Sequence, residues 1–110
     1  MRRHVVGYML SECGFLAQQI AEEYPVNING MPQRADIVAM DSDAKPMVVV
    51  ECKEPNVRID QAVLDQVVRY NSVLRCRYIV ITNGIECFSY AMAEDGSYTP
   101  LDHFPHCSEL

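Results

Sequence analysis

Three consecutive valines, Val48 to Val50, lie between Pro46 and Pro55 with no polar residue alternating among them. β-Branched side chains suit a pleated backbone, so this stretch predicts a short strand covered on both faces. The strand runs straight into Glu51 and Lys53, which at a period of two leave the same face as Val49. Upstream, Val5, Val6, Met9, Leu10 and Cys13 recur at helical spacing and Gly14 follows as a C-terminal stop, predicting a first helix over residues 2–13. Leu16 and Ile20 flank the helix-favouring Ala17, Gln18 and Gln19 and suggest one more turn. From about Glu23 the pattern is that of strands. Residues 24–28 and 34–40 read as a hairpin across Asn29-Gly30 and Pro32, because Asn-Gly supplies the positive φ angles of a tight turn. The polar tip Asp41 to Ala44 then returns the chain into the valine strand.

After Lys53, Glu54-Pro55-Asn56 breaks the strand and Asp60 caps a helix running to about residue 74, with Ile59 and Leu64 placed for a hydrophobic staple. Its apolar stripe is Ile59, Val63, Val67, Tyr70 and Leu74; Gln61, Asp65 and Arg69 make the solvated face, and Gln66 falls beside the stripe one turn before Tyr70. Residues 78–82 and 85–92 around Asn83-Gly84 predict a second hairpin, and Asp95-Gly96 a further turn. The tail, residues 100–110, has two prolines and no periodicity, so it is expected to be irregular and loosely packed or frayed. The order α-β-β-β-α-β-β predicts a mixed central sheet with helices against it, an α/β protein on the α+β border.

Composition narrows the reading. A chain of 110 residues fits one domain, residues 1–110, with room for a core but not for a second catalytic module. No apolar run approaches the roughly 20 residues that span a bilayer. The basic start Met-Arg-Arg-His leads into an apolar segment broken by Gly7, Ser11 and Glu12, unlike a signal peptide, so a cytoplasmic protein without a membrane partner is expected. Five cysteines without a C-x-x-C pair argue against a disulfide framework or structural zinc, and read as reduced, mostly buried small hydrophobes. The net charge of −6 excludes a broad basic surface for gripping phosphates. A nucleic-acid role must use local basic residues, bound divalent cations, or a partner that supplies positive charge.

Asp36 heads a short apolar strand joined by a hairpin to the strand ending in Glu51 and Lys53, and adjacent antiparallel strands can bring the two acids together. Close carboxylates repel, and a hard divalent cation relieves that repulsion. Such a cation polarises a phosphoryl oxygen and acidifies a bound water, while a neighbouring lysine positions the water or neutralises developing charge.

Asp36, Glu51-Cys52-Lys53 and Gln66-x-x-x-Tyr70 resemble the D…E-x-K and Q-x-x-x-Y signature of the PD-(D/E)XK nuclease superfamily. The phrasing Arg34-Ala35-Asp36-Ile37-Val38, Val50-Glu51-Cys52-Lys53 and Asp65-Gln66 to Tyr70-Asn71 is similar to the N-terminal nuclease domain of type I restriction enzyme R subunits and the short stand-alone proteins related to it. The resemblance implies a restriction-endonuclease-like core and a Mg²⁺-dependent deoxyribonuclease of endonuclease type, with Mn²⁺ as a substitute. Asp36 and Glu51 would be metal ligands, with the Cys52 backbone carbonyl a third, and Lys53 the catalytic lysine. Gln66 and Tyr70 would orient the site or contact DNA. Glu23 matches an upstream acid near the metal, with Glu22 and Glu12 as fallbacks. The proline usual before the aspartate is Ala35 here. Partners would be DNA and a larger restriction or repair assembly, or a second copy in a homodimer.

Plainer readings stand beside these. Gln66 and Tyr70 also read as a residue next to the core and a packed aromatic. His103, His106 and Cys107 match no standard metal spacing and read as a surface tail, and His4 as a first-turn helix residue. Arg75 and Arg77 read either as phosphate contacts or as a solvated loop. The alternative function is a non-catalytic nucleic-acid-binding or assembly module on the same fold, motivated by the acidic balance and the absence of a P-loop. The nuclease reading requires Asp36 and Glu51 on one face and close together.

Overall fold

The computed structural model of the protein describes residues 1–110. The valine run lies within β3 (Pro46–Cys52), the third strand of a six-stranded sheet whose spatial order follows the chain. Before it come α1 (Arg2–Glu12), β1 (Ile20–Ile28) and β2 (Met31–Met40); after it come α2 (Gln61–Leu74), β4 (Tyr78–Thr82), β5 (Cys87–Met92) and β6 (Tyr98–Leu101). Only β3 and β4 run parallel, and α2 is the crossover that a parallel pair requires. All other neighbours are antiparallel. The α/β to α+β class and the mixed sheet with helices against it are as the pattern predicts, and the structure puts one helix on each face.

Each face of the sheet has its own core. On one, Val5 and Met9 of α1 pack with Phe15, Val48, Val50 and Val80. On the other, Val67 and Tyr70 of α2 pack with Val38, Val49, Ile79 and Ile81. Val48, Val49 and Val50 are completely buried, and each full burial of such a side chain contributes about 1.5–3 kcal/mol. Gly14 stops α1 with φ +78°, Asn29 and Gly30 both take positive φ in the first hairpin turn, and the Asp60 carboxylate caps α2 by accepting from the Val63 amide at 3.2 Å.

Within β2 the alternation of faces breaks once. Ile37 and Ala39 of β2 join the α1 core, whereas Ala35 joins the α2 core. The change of phase falls at Asp36. There the β1–β2 pairing skips a step, and Glu23, opposite Asp36 in the register, takes φ +51°. A left-handed non-glycine residue costs about 1–2 kcal/mol, so the surrounding contacts hold this kink in place.

The structure corrects several expectations. The tail is not frayed: the Asp95-Gly96 turn feeds β6 onto β5, and Phe104, Cys107 and Leu110 pack against the α1 core while Pro105 is fully buried. The strand is too short for its periodicity to be readable, and Pro100 is tolerated because β6 is an edge strand. A short 3₁₀ turn, Cys107–Glu109, follows, and His103 bridges Asp102 and Glu109 at 2.9 Å each. The second hairpin is not a two-residue turn, since Thr82 pairs with Cys87 across four intervening residues. Asn83 Oδ1 accepts from the Ile85 and Glu86 amides at 2.9 and 2.7 Å, and its Nδ2 donates to the Val57 carbonyl at 2.9 Å. The side chain thus supplies the turn's hydrogen bonds and ties the loop to the segment after Lys53. Cys87 is exposed rather than buried, and all five thiols are free.

Asn71 is buried at the end of α2. Its Nδ2 donates to the Cys76 carbonyl at 2.9 Å and the Tyr98 hydroxyl at 3.0 Å, and its Oδ1 accepts from the Cys76 amide at 2.6 Å. Asn71→Ala should destabilise the fold by about 3 kcal/mol, because it strands buried backbone polar groups of Cys76. Urea denaturation checks this, and a loss below about 1 kcal/mol would show that water replaces the amide.

Candidate active site

The kink in β2 and the end of β3 meet at the carboxyl end of the parallel pair. Ile37 pairs with Val50, so Asp36 stands opposite Glu51. The Asp36 Oδ2 accepts from the Cys52 amide at 2.7 Å, which fixes the carboxylate against the neighbouring strand. Glu51 follows Val49 onto the α2 face and is only 7% exposed. Its Oε1 lies 3.6 Å from the Lys53 ammonium, while its Oε2 is buried without any hydrogen-bond partner. Burial, and next the Asp36 charge, push the Glu51 carboxyl up to about 7, with Lys53 opposing the rise.

Lys53 leads on to α2. Its ammonium donates to Gln66 Oε1 at 3.4 Å, and Gln66 Nε2 donates to the Tyr70 hydroxyl at 3.3 Å. Helical spacing stacks Gln66 over Tyr70, and the buried Tyr70 ring anchors the chain of contacts in the core. Burial first, then the Glu51 and Asp36 charges, raise the Tyr70 hydroxyl above its ordinary value. The structure therefore links Glu51, Lys53, Gln66 and Tyr70 by direct contacts, with the Asp36 charge near enough to raise the Glu51 carboxyl.

The other expected residues lie differently. Cys52 turns its side chain toward the α1 core and contributes its amide to Asp36. Glu23 does not join the two acids. It lies 3.3 Å from Arg2 and 3.9 Å from Arg34, and no three acid, histidine or cysteine side chains converge as a metal cage. Glu22 pairs with Arg2 at 3.0 Å, and Glu12 is exposed at the end of α1. Arg75 and Arg77 precede β4, at the end of the sheet away from Glu51, and Arg77 lies over the Tyr78 ring at 5.7 Å. Arg2 is the residue that sequence reasoning missed. It gathers Glu22 and Glu23 beside Asp36, and Glu23 first, by hydrogen bonding, raises its pKa. Nothing in its spacing signals that role.

The donor set fits a small hard cation. Two opposed carboxylates, one with a buried oxygen lacking any partner, offer only oxygen ligands, and no imidazole or thiolate joins them. Mg²⁺ commonly uses one or two carboxylates and completes its shell with waters and substrate phosphates.

A mixed sheet with a helix on each face and two acids facing each other beside a lysine is compatible with a restriction-endonuclease-like fold. The chain belongs to the family described as the type I restriction enzyme R protein N terminus, whose model matches residues 1–105. The solved fragment of a protein described as an HsdR subunit of a type I restriction enzyme from Vibrio vulnificus YJ016 is similar over 99% of this chain, at 27% identity and a TM-score of 0.73. This chain spans 24% of the length of that one. Among curated proteins none matches.

Proposed function

We propose that the domain is a Mg²⁺-dependent nuclease that hydrolyses DNA phosphodiester bonds. The observation that carries this is the buried, unpartnered Glu51 oxygen opposite Asp36, a pairing that costs stability unless a cation uses it. Asp36 and Glu51 would hold Mg²⁺, or Mn²⁺ in its place, with the Cys52 carbonyl a candidate third ligand. When bound, the ion polarises a phosphoryl oxygen and lowers the pKa of a coordinated water. Lys53, held by Glu51 and Gln66, faces the same space and would orient the attacking water and balance charge that develops on the phosphate. Gln66 and Tyr70 act through Lys53 as positioning residues. Glu23 stays with Arg2 and Arg34 and is not needed for a site that water and phosphate can complete. Membership of the R-subunit family supports DNA as substrate and a larger restriction assembly as setting.

Mg²⁺ should raise the melting temperature of the wild-type protein, because a ligand that binds only the folded state stabilises it by mass action. Asp36→Asn should abolish that rise yet remain folded, since an asparagine oxygen can still accept from the Cys52 amide. Differential scanning fluorimetry with and without Mg²⁺ reads both. An undiminished shift in the variant would put the ion elsewhere, and absent cleavage of single-stranded and duplex DNA at low salt would favour the non-catalytic module.

A further inference from the structure

A second concave feature lies on the other face of the sheet. A cleft of about 480 Å³ opens between α1 and the end of the chain, with Val5, Leu101 and Phe104 of the α1-side core in its walls. Thr82, Cys87 and Ser89 also line it. Glu51 and Lys53 take no part in it.

The cleft has the chemistry of a flat, polar-edged ring. Tyr8 is 46% exposed and meets Phe104 edge-to-face with centroids 5.6 Å apart, an arrangement that leaves aromatic surface open. The Ser89 hydroxyl and the Cys87 thiol offer donors and acceptors to a ring edge, whereas the Thr82 hydroxyl donates to the Glu86 carbonyl at 2.9 Å and accepts from the Gly84 amide at 3.1 Å. The volume falls in the range for one small ligand.

The adjoining groove along α1 supplies the rest. It shares His4 and Tyr8 with the cleft and adds Arg3, Gly7 and Ser11, with Glu12 at its far end. A Cβ at Gly7 would meet nothing within 4 Å, so packing does not demand a glycine there. Within a helix it costs about 1 kcal/mol relative to alanine and leaves the backbone open to close approach. Arg3 and His4 flank that opening.

We propose that this cleft binds a nucleotide, with its base against Tyr8 and Phe104 over Thr82 and Ser89 and its phosphate at Arg3 and His4. The shared chemistry is a base bearing a phosphate, whether a free mononucleotide or one unpaired nucleotide of a strand. The site is independent of the carboxylates and stands whether or not they support cleavage.

Titration of the ¹⁵N-labelled protein with dAMP in EDTA tests it. Amide shifts should concentrate at His4, Tyr8, Ser89 and Phe104. Tyr8→Ala should weaken binding about 5- to 100-fold, the scale of one lost base stack. Tyr8→Leu keeps apolar contact with Phe104 and should weaken it comparably, which separates loss of stacking from loss of fold. Arg3→Ala should leave dAMP binding no better than adenosine. A short oligo(dA) that shifts the same amides more tightly than dAMP identifies a strand, and one that fails where dAMP succeeds identifies a free nucleotide; either supports the cleft. No shift there at about 10 mM dAMP, a concentration that would reveal even millimolar affinity, would overturn the proposal. So would shifts centred on Lys53 and Gln66, or Tyr8 variants that bind as wild type does.

Discussion

Lys53→Ala should slow metal-dependent DNA cleavage by about 10²–10³, the scale for removing one preorganised electrostatic group, while Mg²⁺ binding survives. The lysine touches Glu51 at 3.6 Å and Gln66 at 3.4 Å, so it is held where it can act. It also lowers the proton affinity of Glu51. Its loss should therefore raise that affinity further, and a neutral-pH assay would confuse a missing catalytic group with a protonated ligand. At pH 8 and above Glu51 is ionised in both proteins once the cation is bound, and the comparison isolates the lysine. With a net charge of −6 the protein should bind DNA weakly and with a steep salt dependence, so single-turnover assays at low salt and high enzyme concentration are the suitable measurement. A variant that cut as fast as wild type would sink the catalytic role. One that lost the Mg²⁺ melting shift as well would show that Lys53 acts by holding the acids rather than by chemistry.

Much of this arrangement is legible in sequence because it is local. The period of two fixes Val49, Glu51 and Lys53 to one face, the helical period puts Gln66 a turn from Tyr70, and Asp60 marks where α2 begins. The short connection between β2 and β3 makes the meeting of Asp36 and Glu51 foreseeable as well. What is not legible depends on contacts between distant segments. The kink at Glu23 and Asp36 changes which face the hairpin covers, and no propensity predicts φ +51° at a glutamate. That kink goes with Glu23 pairing to Arg2 and Arg34 instead of joining the acids. The tail folds because Phe104, Cys107 and Leu110 find the α1 core, and the Cys107 amide donates to the Cys13 carbonyl at 2.7 Å. The cleft between α1 and this tail has no sequence signature, because its walls come from opposite ends of the chain.

Glu51→Gln should make the protein more stable than wild type at pH 8 in EDTA, by up to about 3 kcal/mol. The Glu51 carboxyl is raised from an ordinary 4.5 to about 7 in the folded protein. Below pH 4.5 it is protonated folded and unfolded, and it imposes no penalty. As pH rises from about 4.5 to 7 the unfolded chain gives up its proton first, so the native state binds more protons and stability falls. Above about 7 the loss is complete. Glutamine keeps the shape and stays neutral, so the variant should match wild type near pH 4 and exceed it increasingly up to pH 7. At pH 8 the difference should be about 10 °C or more in melting temperature for a domain of this size. Groups remote from Glu51 titrate alike in both proteins, so the difference between the two pH profiles reports Glu51 together with the neighbours coupled to it. A constant difference from pH 4 to pH 8 would show that Glu51 ionises freely. Mg²⁺ at pH 8 should narrow the gap by stabilising wild type alone, because only the ionised pair of acids offers the ion a site. A stability cost that appears with ionisation and is offset by a cation is the physical mark of a site kept for function.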